Sequence, residues 1–208
     1  MILIKKHFLI NLDLFYLQMI RFFYLIIRLL IIILLILPFL ITILIIFTIH
    51  KIIEKDSFFF TQDRLGLNKQ IIKIVKIRTI NNNKISKFSN FLRKTKLDEM
   101  PQIISVARGD LNLIGPRPLL VEYKQYFKNS EEIRFSIKPG ITGLSQIKST
   151  NLTCWDTRLR WDVIYAKKRC FKLDIYILLN TIKIIFLNIF KKQNNLDNFI
   201  RLDKVRKI

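Results

Sequence analysis

The sequence predicts a mixed α+β domain joined to an apolar membrane segment, and three stretches of the chain predict it. Residues 58 to 80 alternate in the two-residue period of paired strands. Ser86 and Pro101 each open a stretch with helical spacing. Leu29 to Thr48 carries no charge at all, and about twenty helical residues cover the roughly 30 Å of a bilayer's hydrocarbon core.

Residues 1 to 20 mix basic and apolar side chains without a small-residue cleavage site before the apolar run, so a basic N-terminal extension is expected there and not a removable signal peptide. The membrane segment is drawn over residues 21 to 49. Pro38 sits near its centre, where proline removes a backbone hydrogen bond and kinks a helix. Lys5, Lys6, Arg21 and Arg28 precede the segment and Lys51 and Lys55 follow it, so positive charge does not select one cytoplasmic end. A straight span and a re-entrant helix bent at Pro38 both satisfy these residues.

Residues 50 to 190 form the expected single domain. It begins with a β-hairpin turning at Leu65-Gly66-Leu67-Asn68 and ending at Lys76, Arg78 and Thr79. Ser86 can cap a helix whose apolar face is Phe88, Phe91 and Leu92. Because proline fits the first turn of a helix, the next helix should run from about Pro101 to Gly109. Residues 119 to 135 read as helical, with Glu122, Glu131 and Glu132 solvated. The loop Lys138-Pro139-Gly140-Ile141-Thr142-Gly143 suits either close backbone approach to a ligand or a plain tight turn. Trp155 and Trp161 lie in an amphipathic helix, as core or membrane-interface packing. Residues 171 to 190 are apolar but interrupted by Lys172, Asp174, Asn180, Lys183 and Asn188, which places them in the interface and not across it. Residues 191 to 208 read as a polar, basic, mobile tail.

The 208 residues carry a formal charge of +21, and 51% of them are hydrophobic. An anionic partner follows from the charge, and the hydrophobic share turns the choice toward an anionic membrane surface before nucleic acid. His7 and His50 flank the apolar segment, so the sequence after residue 50 has no histidine for a Ser-His-Asp triad or a histidine metal site. Cys154 and Cys170 are too few and too far apart for a zinc site and read as free thiols in a reducing compartment. The five glycines, at 66, 109, 115, 140 and 143, make neither a GxGxxG fingerprint nor a Walker loop. Carboxylates remain as candidate acids, bases or nucleophiles. Asp98 and Glu99 stand at the start of the helix expected from Pro101, with Arg93, Lys94 and Lys96 beside them and the basic turn Gly115-Pro116-Arg117-Pro118 downstream. That positive surround suits phosphate chemistry, and it keeps a carboxylate ionised as a nucleophile or metal ligand must be. The plainer reading makes both residues N-terminal caps of a solvated helix.

In order along the chain, the motifs FFFTQDRLG (58 to 66), KIRT (76 to 79), FLRKTKLDEMPQ (91 to 102), GDLNLIGPRPLLVEY (109 to 123), KPGITGLSQ (138 to 146) and LDIYILLNTIKIIF (173 to 186) follow an apolar segment with a central Pro38. This series closely resembles the bacterial sugar transferase family, the monotopic phosphoglycosyl transferases that start glycan assembly on polyprenyl phosphate. The resemblance implies that Asp98 attacks the β-phosphate of a UDP-sugar, displaces UMP and forms a covalent phosphosugar, which polyprenyl (undecaprenyl) phosphate then takes. It implies Glu99 as a ligand of Mg²⁺, and Lys76, Arg78, Arg93, Arg117 and Arg134 as holders of phosphate oxygens. It also implies a re-entrant helix bent at Pro38, amphipathic helices at the membrane interface, and a catalytic domain on the cytoplasmic face of the bacterial inner membrane, where downstream glycosyltransferases are possible partners. The chain departs from the family pattern at Leu37, where a serine is common, at Lys55-Asp56-Ser57 in place of Gly-Pro, in the asparagine-rich loop after Thr79, and at Lys148-Ser149-Thr150-Asn151, where an arginine is lost. A non-catalytic basic membrane adaptor is the competing reading, and nucleic-acid binding would rest on charge alone.

Overall fold

The computed structural model describes residues 18–20, 22–23, 25–26, 34, 37–81, 84–149, 154–190 and 201–206. The chain divides into two units, Met1–Ile53 and Glu54–Ile208. In the first, an apolar helix α1 runs over Leu37–Ile53, and the Thr42 hydroxyl donates to the Pro38 carbonyl at 2.7 Å. The bend expected at Pro38 involves residues outside the described ones, as do most of the extension 1 to 20, residues 82–83, residues 150–151 and the stretch 191–200.

The second unit mixes short sheets with helices. Its alternating residues give the antiparallel hairpin, β1 (Phe59–Leu65) and β2 (Ile71–Ile77), with Phe59 opposite Ile77 and Leu65 opposite Ile71. Leu65, Ile74 and Ile77 are buried; Leu65 and Ile77 share one face of the hairpin and Ile74, opposite Gln62, lies on the other, so both faces are partly covered. Helix α2 (Lys87–Thr95) starts at Ser86, whose hydroxyl accepts the Ser89 N–H at 3.0 Å. Its buried face is Ser89 and Leu92, while Phe91 is 49% exposed, and the Ser86 and Ser89 hydroxyls donate to the Glu54 carboxylate. Lys96, in the left-handed region at φ 62°, ends α2 and reverses the chain into a 3-10 turn, Leu97–Glu99. Helix α3 (Gln102–Ala107) follows and stops at Gly109, whose φ of 80° is the usual glycine exit from a helix.

Strands β3 (Asn112–Ile114) and β4 (Gly140–Thr142) pair in parallel. Here the glycines serve backbone against backbone: a Cβ on Gly140 would lie 2.1 Å from the Gly115 nitrogen, and one on Gly143 would lie 2.0 Å from the Gly115 oxygen. The expected helix over 119 to 135 is instead two 3-10 segments, Val121–Tyr126 and Asn129–Ser136, separated by extended backbone at Phe127. Glu131 corrects a second expectation. It is buried and binds the Arg206 guanidinium at 2.7 and 2.8 Å.

After the short helix α4 (Leu144–Lys148), helix α5 (Trp155–Lys168) buries Trp155, Leu159, Asp162 and Tyr165, a stripe at helical spacing. Trp155 is a core residue, edge-on to Tyr123 with ring centroids 5.5 Å apart. It joins Leu119, Tyr123, Leu159 and Leu202 in one cluster, while Ile137, Leu144, Tyr165 and Ile177 form another, against which Trp161 packs. Helix α6 (Phe171–Phe190) buries Ile177 and joins its Thr181 hydroxyl to that of Thr142, leaving Leu179, Ile182 and Phe186 exposed. Among the described residues it is the one helix long and apolar enough to cross a membrane by length and composition. The tail expectation is corrected for residues 201–206. Helix α7 (Leu202–Val205) is docked, with Leu202 fully buried.

Candidate active site

Lys96 and Pro101 bracket the tight turn that presents Asp98 and Glu99 between α2 and α3. Glu99 is 7% exposed. Its Oε1 accepts from Lys76 Nζ at 2.7 Å and from Arg117 Nη2 at 3.3 Å. Lys76 comes from β2, where its side chain faces the turn, and Arg117 comes from the Gly-Pro-Arg-Pro segment after β3. A narrow cavity between these elements is lined by Arg64, Lys76, Glu99, Gln102, Arg117 and Pro118.

The adjacent carboxyls are driven apart in acidity. Burial raises the Asp98 pKa, and the Glu99 charge raises it further against the opposing charges of Lys76, Lys96 and Arg93. Burial would also raise Glu99, but Arg117, Lys76 and Lys96 outweigh it and hold Glu99 well below the usual carboxylate range. Asp98 Oδ1 is buried and has no hydrogen-bond partner among the described residues. One carboxylate is thus pinned by cations and the other left uncommitted, a division that suits separate chemical roles.

The structure brings Asp98, Glu99, Lys76 and Arg117 together, with Arg93 in the last turn of α2 acting on Asp98 through its charge. Arg78 has its guanidinium carbon 5.6 Å from the Phe60 ring centroid and its Nε 3.8 Å from Asp56. Arg134, expected to hold phosphate, lies in the interior of the domain. It is 2% exposed and paired with the buried Asp162 at 2.8 Å. Arg64 and Gln102 are cavity residues that sequence reading did not single out, although both sit inside quoted motifs. Burial and the neighbouring Arg117 lower Arg64 to about 10, against the opposing pull of Tyr123, Glu99 and Glu122.

The described residues contain no cluster of three or more side chains suited to a metal. Mg²⁺ commonly takes one or two carboxylates and completes its shell with substrate phosphates and water, so Asp98 Oδ1 and the Glu99 carboxylate fit that kind of site. Glu99 would keep Oε1 on its two cations and offer its other oxygen.

The family model for bacterial sugar transferases matches residues 15–188. An uncharacterized sugar transferase, EpsL of Bacillus subtilis, is 33% identical over 168 residues, which is 74% of this chain and 83% of EpsL. The UDP-glucose:undecaprenyl-phosphate glucose-1-phosphate transferase of Klebsiella pneumoniae is 32% identical over 171 residues, 72% of this chain and 35% of that enzyme. The galactosyl transferase CpsE of Streptococcus agalactiae is 32% identical over 154 residues, 62% of this chain. The chain therefore spans about a third of the length of these two named enzymes, at 35% and 34%.

Proposed function

The chain belongs to the bacterial sugar transferase family, and from that premise we propose that it moves a phosphosugar from a UDP-sugar to polyprenyl phosphate, the opening membrane step of polysaccharide or glycoconjugate synthesis. The observation that carries this reading is the split carboxyl pair: Glu99 pinned by Lys76 and Arg117, Asp98 beside it with a buried, uncommitted oxygen. Relatives named for this transfer to undecaprenyl phosphate support the substrate classes.

In the first step an ionised Asp98 oxygen attacks the β-phosphorus. The new aspartyl O–P bond forms as the bond to the bridging oxygen breaks, and UMP leaves with that electron pair. In the second step a phosphate oxygen of the lipid attacks the same phosphorus and Asp98 departs as a carboxylate. Arg117 and Lys76 lie on the Glu99 side of the turn, where they can hold phosphate oxygens, and Arg93 can favour ionised Asp98. Arg78 is proposed as an outer phosphate contact. Mg²⁺, if held by the Asp98–Glu99 pair, would neutralise diphosphate charge. We place the protein at the cytoplasmic face of the bacterial inner membrane, with residues 21 to 49 re-entrant at Pro38 and the apolar α6 in the interface.

The test is UMP release by the detergent-purified chain given a short polyprenyl phosphate, Mg²⁺ and a panel of UDP-sugars. One donor should support turnover, with UMP released in a single-turnover burst when the lipid is withheld. Asp98→Asn should abolish both, and full activity in that variant would defeat the reading. Silence across the panel would leave the non-catalytic adaptor in its place.

A further inference from the structure

Arg117 sits between two prolines, and neither Pro116 nor Pro118 has an N–H to anchor the segment. It is held by its carbonyls instead, four in succession. Pro116 O accepts from Gly140 N at 3.0 Å, Arg117 O from Arg134 Nη2 at 2.7 Å, Pro118 O from Arg64 Nη1 at 3.3 Å, and Leu119 O from Leu65 N at 2.8 Å. The second contact is the shortest and acts on the peptide plane that immediately follows Arg117 Cα. Turning that plane would swing the direction in which the Arg117 side chain leaves the backbone.

Arg134 is built to hold it still. Its Nε and Nη2 both donate to Asp162 Oδ2, at 3.3 and 2.8 Å, while the same Nη2 donates to the Arg117 carbonyl. The Phe135 and Phe127 rings lie 4.8 and 5.5 Å from the guanidinium carbon, and their own centroids are 5.0 Å apart. A planar fork with a carboxylate at its edge and aromatic rings around it has one orientation, which a lysine ammonium would not reproduce. Asp162 supplies the compensating charge from the buried stripe of α5.

We infer that the buried Arg134–Asp162 pair is a positioning unit for Arg117, setting its approach to the substrate phosphates without touching them. The inference deepens the transferase reading and rests on it for the role of Arg117.

The experiment is a double-mutant cycle on the full chain, read both as kcat/KM for UMP release and as equilibrium affinity for UDP. Arg134→Lys keeps the charge facing Asp162 and loses the fork. It should cost about tenfold in the wild-type background, the size of a lost charge-assisted contact, and almost nothing further in an Arg117→Ala background. Asp162→Asn should repeat the pattern. Equal losses in both backgrounds would mean that Arg134 touches the ligand itself or merely supports folding, and either overturns the inference. If Arg134→Lys shows no cooperative unfolding, Asp162→Asn carries the cycle; loss of folding in both makes the pair a folding element and also overturns it. A wild type that binds UDP without releasing UMP defeats the transferase reading alone, because the cycle in UDP affinity still decides the positioning role. A wild type that binds no UDP overturns both.

Discussion

At the scale of single residues, Asp98 is the costly member of the site. Its folded pKa is raised above the ordinary 3.8, so the folded protein binds that proton more tightly than the unfolded chain does. Stability tied to this group is complete below about 3.8 and is lost as pH rises through the folded value. Asp98→Asn should therefore unfold at a higher temperature than wild type at pH 7, with the gain shrinking as pH falls toward 4, while UMP release is abolished; a lower Tm at pH 7 would contradict the burial argument. The Glu99 charge is the second cause of the Asp98 shift after burial. Glu99→Gln should move the Asp98 midpoint down, followed by carboxyl-carbon NMR, and an upward movement would show that Glu99 does not oppose Asp98 ionisation. Asp98 and Glu99 stood out as adjacent carboxylates among basic residues, and Arg117, 18 positions from Glu99, stood out through its Gly-Pro-Arg-Pro motif. The roles of Arg134 and Glu131 were not legible, since their partners Asp162 and Arg206 lie 28 and 75 positions away. An unpaired charge on a sequence looks solvated until its distant partner is known.

Elements were legible where periodicity is long enough to read. Seven-residue strands and a capped nine-residue helix carry their own signal. Strands β3 and β4, at three residues each, do not. Their pairing is a matter of glycines, since Gly115 and Gly140 touch through backbone alone. A Cβ on Gly140 would meet the Gly115 nitrogen at 2.1 Å, whereas one on Gly66 would meet the flexible Ile72 side chain at 2.8 Å. Gly140→Ala should thus lower Tm well beyond Gly66→Ala. Overpacking costs about 1–3 kcal/mol, which for a chain of this size is roughly 2–12 °C at about 2–4 °C per kcal/mol. Since β3 leads directly into Arg117, Gly140→Ala should also depress UMP release beyond any loss of folded protein. The reverse ranking in thermal unfolding would mean that the strand pair is not a rigid support. The 3-10 segments from Val121 to Ser136 escaped reading for a different reason: apolar residues at i and i+3, such as Tyr123 and Tyr126, suit a 3-10 turn and an α-helix alike.

Across the whole molecule, charge and hydropathy together set the expected habitat, with a formal charge of +21 on a chain that is 51% hydrophobic and an α6 whose apolar side chains stay largely exposed. The C-terminal residues carry a different burden. Leu202 fills the cluster of Leu119, Tyr123, Trp155 and Leu159, and Leu119 belongs to the carbonyl-held segment just beyond Arg117. Arg206 binds both oxygens of the buried Glu131 and also the Tyr126 carbonyl. A chain ending at residue 200 would lose a buried leucine, worth about 2–5 kcal/mol, and would leave Glu131 without its guanidinium. The second loss can be separated from the first. In the full chain Glu131→Gln breaks a buried pair and should lower Tm; in the truncated chain the same change removes an uncompensated charge and should be neutral or stabilising. Thermal unfolding of the four proteins reads this sign reversal. If Glu131→Gln lowers Tm equally with and without residues 201–208, the docked tail is not the partner that makes burial of Glu131 tolerable, and the 3-10 segments beside the site are self-supporting.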